Sequence, residues 1–260
     1  MRLMKYAASG TPFFALCALA ISLAVAALGS PLAGEEASRT TCDALERKFV
    51  TEINRLRTNP QSYVELLERR RNQYDGTRLT LTGRGYAFTV ITKEGWPAVE
   101  EAIEVLRSTL PLPALNVSEG LVLAARDHAR DQAKQQHASH TGSDGSSFIE
   151  RISRYLQNVD SAGESITVGG VPLATEAVEK SLIDDGVKNR AHRLELLSKD
   201  FSLIGVACEP QTRYGFLCVV DFASPVGRAA DRLSLMAVAR LKANTNGNAI
   251  TNFEPLPTWL

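Results

Sequence analysis

Apolar residues recur three and four positions apart in several stretches of the chain, which is the spacing of one helix face. The pattern predicts helices over residues 45–56, 61–73, 98–106, 118–136, 147–155 and 175–185. Ser118 stands where an N-cap is expected, and Ser147 with Glu150 has the spacing of a capping box. Gly186 is expected to end the last of these helices.

Alternating apolar and polar residues mark the strands. Residues 202–208 and 216–222 give the strongest strand pattern in the chain, and residues 165–168 are a shorter candidate. Residues 79–91 alternate in the same way and predict a hairpin or a similar ordered excursion. Helices at the beginning and strands at the end predict an α+β fold with a small antiparallel sheet covered by helices.

The N-terminus has the pattern of a secretory leader. Arg2 and Lys5 precede an apolar run over residues 13–28, and small residues follow it. We expect residues 1–33 to be a signal peptide that is cleaved near Ala33, and the protein to be secreted into an extracellular or periplasmic space. An uncleaved anchor is the alternative, although the run is short against the roughly 20 apolar residues that span a bilayer.

Composition narrows the class of function. The chain has 260 residues, 44% of them hydrophobic and 22% charged, which is typical of a soluble globular domain with appendages. Lys and Arg number 29, as do Asp and Glu, and loss of Arg2 and Lys5 with the leader leaves 27 basic residues against 29 acidic ones. A nucleic-acid partner is therefore not expected, because phosphate binding needs a basic excess.

Export permits disulfides. Cys17 would leave with the leader, so Cys42, Cys208 and Cys218 remain. If residues 202–208 and 216–222 form a hairpin, Cys208 and Cys218 lie opposite one another and can form a disulfide. Cys42 is then either buried and reduced or paired with another chain, and three free thiols are the remaining alternative.

Several short motifs occur in a fixed order along the chain. They are Ile53–Pro60, Ala124–His128, His140–Arg151, Gly163–Ile166, Ile183–Arg193, Ile204–Cys208 and Cys218–Phe222. Together they resemble the microbial branch of the CAP superfamily, which groups cysteine-rich secretory proteins, antigen 5 and pathogenesis-related proteins. The resemblance covers residues 42–225 as one CAP (SCP-type) domain and leaves residues 226–260 as a C-terminal extension.

The resemblance implies a three-layer α-β-α sandwich whose cleft holds two histidines and two acidic residues. His140 and His192 match the histidines, and Glu164 matches the first acid. Asp185 is the best match to the second acid, with Asp184 as the alternative.

Two neutral imidazoles would make His140 and His192 ligands for Zn²⁺ or another divalent cation, and nearby carboxylates could accept the second ring proton or hold a water. Glu164 could also act as a general base. His128 lies on the inner face of a predicted helix and is interpreted as a hydrogen-bonded core residue.

Three classes of function remain. The first is a secreted binding protein that recognises a lipid, a sterol or a protein partner, with a divalent cation in its cleft. The second is a protease-like or esterase-like hydrolase that uses the same cleft with a metal or water, although the sequence contains no established nucleophile or metalloprotease motif. The third is a structural or signalling ligand. No membrane span is expected after signal cleavage.

Overall fold

The computed structural model describes residues 31–83, 86–169, 173–213 and 215–226. The chain divides into two compact units, Met1–Thr41 and Cys42–Leu260. In the first unit the described residues form the beginning of a helix, and all other elements belong to the second unit. Within the described ranges, no helix is long and apolar enough to cross a bilayer.

Seven helices lie in the described ranges. In chain order they are α1 (Pro31–Thr58), α2 (Gln61–Arg71), α3 (Trp96–Ser108), α4 (Glu119–Gln135), α5 (Phe148–Tyr155), α6 (Ala174–Ile183) and α7 (Ala191–Leu196). The predicted start signals are confirmed: the Ser118 side chain accepts a hydrogen bond from the Leu121 amide, and Ser147 and Glu150 form a capping box. The helix α7 was not predicted.

The described strands form two sheets. They are β1 (Tyr74–Asp75), β2 (Arg78–Gly83), β3 (Tyr86–Ile91), β4 (Asn116–Val117), β5 (Val159–Gly169), β6 (Leu203–Gln211) and β7 (Gly215–Pro225). The strands β1 to β3 form a small antiparallel sheet, which confirms the predicted hairpin. The main sheet has the order β4-β6-β7-β5 and is antiparallel except for the short β4–β6 pair, which is parallel.

Helices cover both faces of the main sheet. One face, with Val206 and Phe222, packs in a single apolar cluster with α1, α2, α3, α6 and α7. The opposite face packs against α4 and α5, where Ala125 contacts the sheet near Val219 and Ile152 packs near Ala223. The predicted α-β-α sandwich is therefore confirmed. Because the strands alternate, each residue of β5 or β7 points into one of two different helical layers.

A glycine allows α4 to lie directly on the sheet. A β-carbon at Gly205 in β6 would collide with the backbone of Leu121 and Val122 in α4. Gly205 pairs with Asp221 of β7, which in turn pairs with Glu164 of β5. These three positions therefore form one row across the sheet, on the face that α4 and α5 cover.

The cysteines follow the predicted hairpin. Cys208 and Cys218 are directly opposite in the β6–β7 pair and form a disulfide, as predicted. Cys42 is a buried free thiol, and burial is the main cause that raises its pKa to about 11. The burial of Cys42 agrees with the first of its two predicted alternatives, and pairing with another chain stays a prediction.

Two predicted segments fall largely outside the described residues. The signal peptide, residues 1–33, overlaps them only at its last three positions, where α1 begins. The C-terminal extension, residues 226–260, overlaps them only at Val226. Both assignments remain predictions from the sequence.

Candidate functional site

The first part of the site surrounds Glu164, whose carboxylate is buried in the middle of β5. Its Oε2 accepts a 2.6 Å hydrogen bond from the guanidinium of Arg151 in α5, and its Oε1 lies 2.9 Å from Nδ1 of His140. Arg151 also donates to the carbonyl oxygens of His140 and Ser146. One buried arginine therefore holds both the carboxylate and the loop that carries His140, whose side chain stays 54% exposed.

The second part of the site is the pair of Asp184 and His192. Asp184 follows the last residue of α6 and adopts a left-handed conformation with φ 53°. Its Oδ1 lies 2.7 Å from Nδ1 of His192, and its Oδ2 accepts a 3.0 Å hydrogen bond from the His192 backbone amide. The hydrogen bond to Asp184 is the main cause that raises the pKa of His192 above its ordinary value.

Two arginines fix the turn that joins α6 to α7. Arg193 is buried and donates to the carbonyl oxygens of Leu182 and Ile183 at the end of α6. Arg190 donates to the Asp184 carbonyl oxygen, and both guanidinium groups pair with Glu101 of α3. These contacts satisfy carbonyl groups that a helix end leaves without partners, and they position the Asp184 side chain.

Asp185, the residue preferred from the sequence as the second acid, has a different position. Its carboxylate accepts hydrogen bonds from the backbone amides of Lys93, Glu94 and Gly95, at 2.7, 2.8 and 3.1 Å. It therefore fixes the segment that precedes α3, and it has no hydrogen bond to His192. The structure places the sequence alternative, Asp184, beside His192, because α6 ends at Ile183 and not at Asp185.

Glu195 was not identified from the sequence, yet it lies between the two parts of the site. Burial raises the pKa of Glu195 to about 7, while the imidazoles of His192 and His140 and a backbone hydrogen bond from Glu164 lower it. Both imidazoles therefore act on the same carboxyl group. Its Oε2 is a buried atom without a hydrogen-bond partner among the described residues.

His128 and Asp221 lie beneath the exposed part of the site. His128 is fully buried in α4, as its helical position predicted, and its Nε2 lies 2.7 Å from the Ser139 carbonyl oxygen and 3.8 Å from Glu164 Oε1. Burial lowers the pKa of His128, so the ring is neutral at neutral pH. Asp221, which sequence reasoning did not single out, lies directly opposite Glu164.

The outer nitrogens of two imidazoles are candidate metal donors among the described residues. His140 and His192 each use Nδ1 to contact a carboxylate, and neither Nε2 has a hydrogen-bond partner among the described residues. In the same residues, no group of three or more His, Cys, Asp or Glu side chains is arranged to hold a metal ion. A cation held by these two nitrogens alone would have to take its remaining ligands from solvent or from a bound molecule.

Comparison with known proteins identifies a family that matches the segment carrying the site. Residues 100–222 match the model of the cysteine-rich secretory protein family, CAP. The match identifies a CAP-family domain within the chain. The matched residues contain His140, Glu164 and His192, together with Arg151, Glu195 and Asp221. No curated protein matches the chain.

Two solved structures are similar to part of this chain. An outer surface protein from Borrelia burgdorferi is 22% identical over 48% of this chain and 88% of its own, with a TM-score of 0.39. An extracellular protein containing an SCP domain from Bacillus anthracis str. Ames is 19% identical over 49% of this chain and 37% of its own, with a TM-score of 0.36.

The contact between Asp184 and His192 predicts a selective change in titration. Replacing Asp184 by Asn removes the charged acceptor, so we expect the pKa of His192 to fall towards the ordinary value of 6.5. The measurement is a pH titration of the imidazole resonances by NMR. Asp185→Asn is the matched control, and we expect the His192 titration to be unchanged in it. Equal shifts in both variants would contradict the assignment of Asp184 as the partner of His192.

Proposed function

We propose that this CAP protein is a secreted binding protein that holds a labile divalent cation, such as Zn²⁺, between His140 and His192. The observation that supports the proposal is that both rings contact a buried carboxylate through Nδ1, while Nε2 has no partner among the described residues. The predicted signal peptide supports the secreted location.

The carboxylates prepare the imidazoles as ligands. When Nδ1–H donates to Glu164 or Asp184, the tautomer is fixed and the lone pair of the ring is on Nε2. Carboxylates placed behind the ligands also increase their basicity and favour a bound positive charge. Because only two protein ligands are available in the described residues, we expect exchangeable binding and not a permanent structural metal.

We propose that the partner is an anionic amphiphile, and that it binds in a groove beside the cation site. The groove lies between α3 and α7 and has a volume of about 530 Å³. Leu112 and Leu197 contribute apolar surface, and Leu110 and Leu194 are exposed at 76% and 64%. Exposed leucines next to one another around a cavity of this size are typical of sites for apolar ligands.

Charge favours an amphiphile with an anionic head. The groove is also lined by Lys188, Lys199, Arg190 and Arg193. The two arginines pair with Glu101, whereas Lys188 is exposed and has no acidic partner among the described residues. A long-chain fatty acid combines the required apolar chain and negative head, and we take it as the ligand class.

The cation proposal predicts stoichiometric binding that needs both histidines. We expect calorimetric titration of the full chain with Zn²⁺ to show one site in the parent protein and its loss in His140→Ala and in His192→Ala. Asp184→Asn should weaken binding by about 10–100-fold, because it removes the acceptor behind a ligand. Binding should also weaken as the pH falls through the raised pKa of His192, since protonated imidazole cannot bind a metal.

His137→Ala is the control, because it removes an exposed histidine outside the site, and it should bind Zn²⁺ like the parent. Binding that persists in the two alanine variants, or no heat in the parent, would contradict the cation proposal.

The groove proposal predicts that a negative charge among the exposed leucines prevents ligand binding. We expect Leu110→Asp and Leu194→Asp each to reduce binding of a fluorescent long-chain fatty acid at least tenfold, because both place a carboxylate in an apolar, cation-lined groove. Leu123→Asp, which changes a 46% exposed leucine outside the groove, should leave binding unchanged. Equal affinity in all four proteins, or no binding in the parent, would reject the fatty acid and leave a protein partner as the alternative.

A hydrolase is the second candidate, and Glu195 is the observation that favours it. Both oxygens of Glu164 are engaged, by Arg151 and by His140, so Glu164 is not free to accept a proton from water. Glu195 has an oxygen without a partner among the described residues and a pKa of about 7, which are the properties of a general base. We expect any esterase or peptidase turnover found with a substrate library to be lost in Glu195→Gln and retained in Glu209→Gln. Turnover that survives Glu195→Gln would contradict this role.

A further inference from the structure

Asp221 occupies a position that disfavours an ionised carboxylate. It lies in the interior of β7, in the row that also contains Glu164 of β5 and Gly205 of β6. Only 1% of the residue is exposed to solvent. Its Oδ1 is buried and has no hydrogen-bond partner among the described residues. An isolated buried carboxylate of this kind is strongly disfavoured.

The groups that face Asp221 do not supply the missing positive charge. Glu164 from β5 and Glu195 from α7 are acids. His128 from α4, which lies 3.8 Å from Glu164, is neutral because burial lowers its pKa. Arg151 from α5 is a buried cation that acts on Asp221, but its hydrogen bonds go to Glu164 and to two backbone carbonyl oxygens. Burial is the main cause that raises the pKa of Asp221 well above 3.8; Glu164 raises it further, Arg151 lowers it, and Glu195 raises it.

We infer that Asp221 is a neutral carboxylic acid in the folded protein at neutral pH and acts as a positioning residue for the site. A neutral Asp221 leaves the guanidinium of Arg151 to Glu164, so the negative charge stays on the carboxylate that contacts His140. An ionised Asp221 would compete for Arg151 and favour a proton on Glu164, which would then lose its role as an acceptor. That the Glu164 charge prepares His140 to bind a cation rests on the proposed function. The protonation of Asp221 does not rest on it.

The inference predicts how the stability of an isosteric variant depends on pH. An aspartate ionises near pH 3.9 in an unfolded chain, so a folded state that keeps the proton loses stability as the pH rises above that value. Asp221→Asn is neutral in both states and removes this loss. We therefore expect its urea unfolding midpoint to lie above that of the parent at about pH 7, with the difference vanishing towards about pH 4.

Asp160→Asn is the control, because it changes an exposed aspartate of β5. Its urea unfolding midpoint should not rise above that of the parent as the pH increases. If Asp221→Asn is no more stable relative to the parent at neutral pH than at acidic pH, Asp221 is ionised in the folded state and the inference is overturned.

Infrared spectroscopy tests the protonation without reference to stability. The spectrum of the parent minus that of Asp221→Asn, recorded at about pH 7, should contain a carboxylic acid band. The matching difference spectrum for Asp160→Asn should contain only carboxylate bands. A carboxylate band in the first difference spectrum would overturn the inference.

NMR of the His140 ring tests the positioning role. We expect the proton to stay on Nδ1 in Asp221→Asn, as in the parent, and to redistribute in Glu164→Gln. A changed tautomer in Asp221→Asn would show that Asp221 itself carries the charge that His140 needs, against the inference. None of these readouts requires a metal, so failure of zinc binding in calorimetry would reject the cation proposal and leave this one intact.

Discussion

The buried ion pair of Arg151 and Glu164 is the interaction on which the site depends. Burying a carboxylate and a guanidinium is costly unless the two meet with good geometry and the remaining donors find acceptors. Both conditions are met, since Arg151 also binds the carbonyl oxygens of His140 and Ser146. One contact thus joins β5 to α5 and to the loop before it. Loss of either partner would leave an unpaired charge in the sandwich and would release the first histidine.

His192, the other histidine, is positioned by arginines that bind backbone carbonyl groups. Arg193 binds the last carbonyl groups of α6. The buried Arg57 of α1 donates to the carbonyl oxygen of Leu196, the last residue of α7, and to that of Ser198 just beyond it. No carboxylate pairs with Arg57 among the described residues, and burial lowers its pKa to about 10. The helix α7, which carries His192, is therefore held at both ends by side chains that satisfy backbone carbonyl groups. Each half of the site belongs to a different helical layer and is fixed independently.

The sequence predicted those features that depend on local chemistry. The hydroxyl of Ser118 and the pair Ser147–Glu150 mark helix starts because they satisfy free amides, and the alternation of β6 and β7 set the register that brings Cys208 and Cys218 together. The second acid was harder to assign because adjacent aspartates at a helix end have equivalent local signals. Gly186 was expected to end α6, but Asp184 adopts the left-handed conformation two residues earlier. Aspartate tolerates that conformation better than most residues.

Functional groups that depend on tertiary contacts were not found in this way. Glu195 is three residues after His192, a spacing that places two side chains on the same helix face, but the pattern of α7 was too short to predict a helix. Strand alternation assigned Asp221 to one face of β7 without indicating that Glu164 would lie opposite. Arg151 was part of a recognised motif, yet only the fold shows which carboxylate it meets.

The helix α7 connects two regions of opposite electrostatic character. His192 and Glu195 belong to the candidate site, where carboxylates contact both imidazoles. Leu194 and Leu197, at the same spacing of three, line the groove with Lys188. A six-residue helix can line both regions, because residues one or two positions apart on a helix point in different directions. The proposed cation ligand His192 and the groove residue Leu194 therefore belong to the same short helix and point in different directions from it.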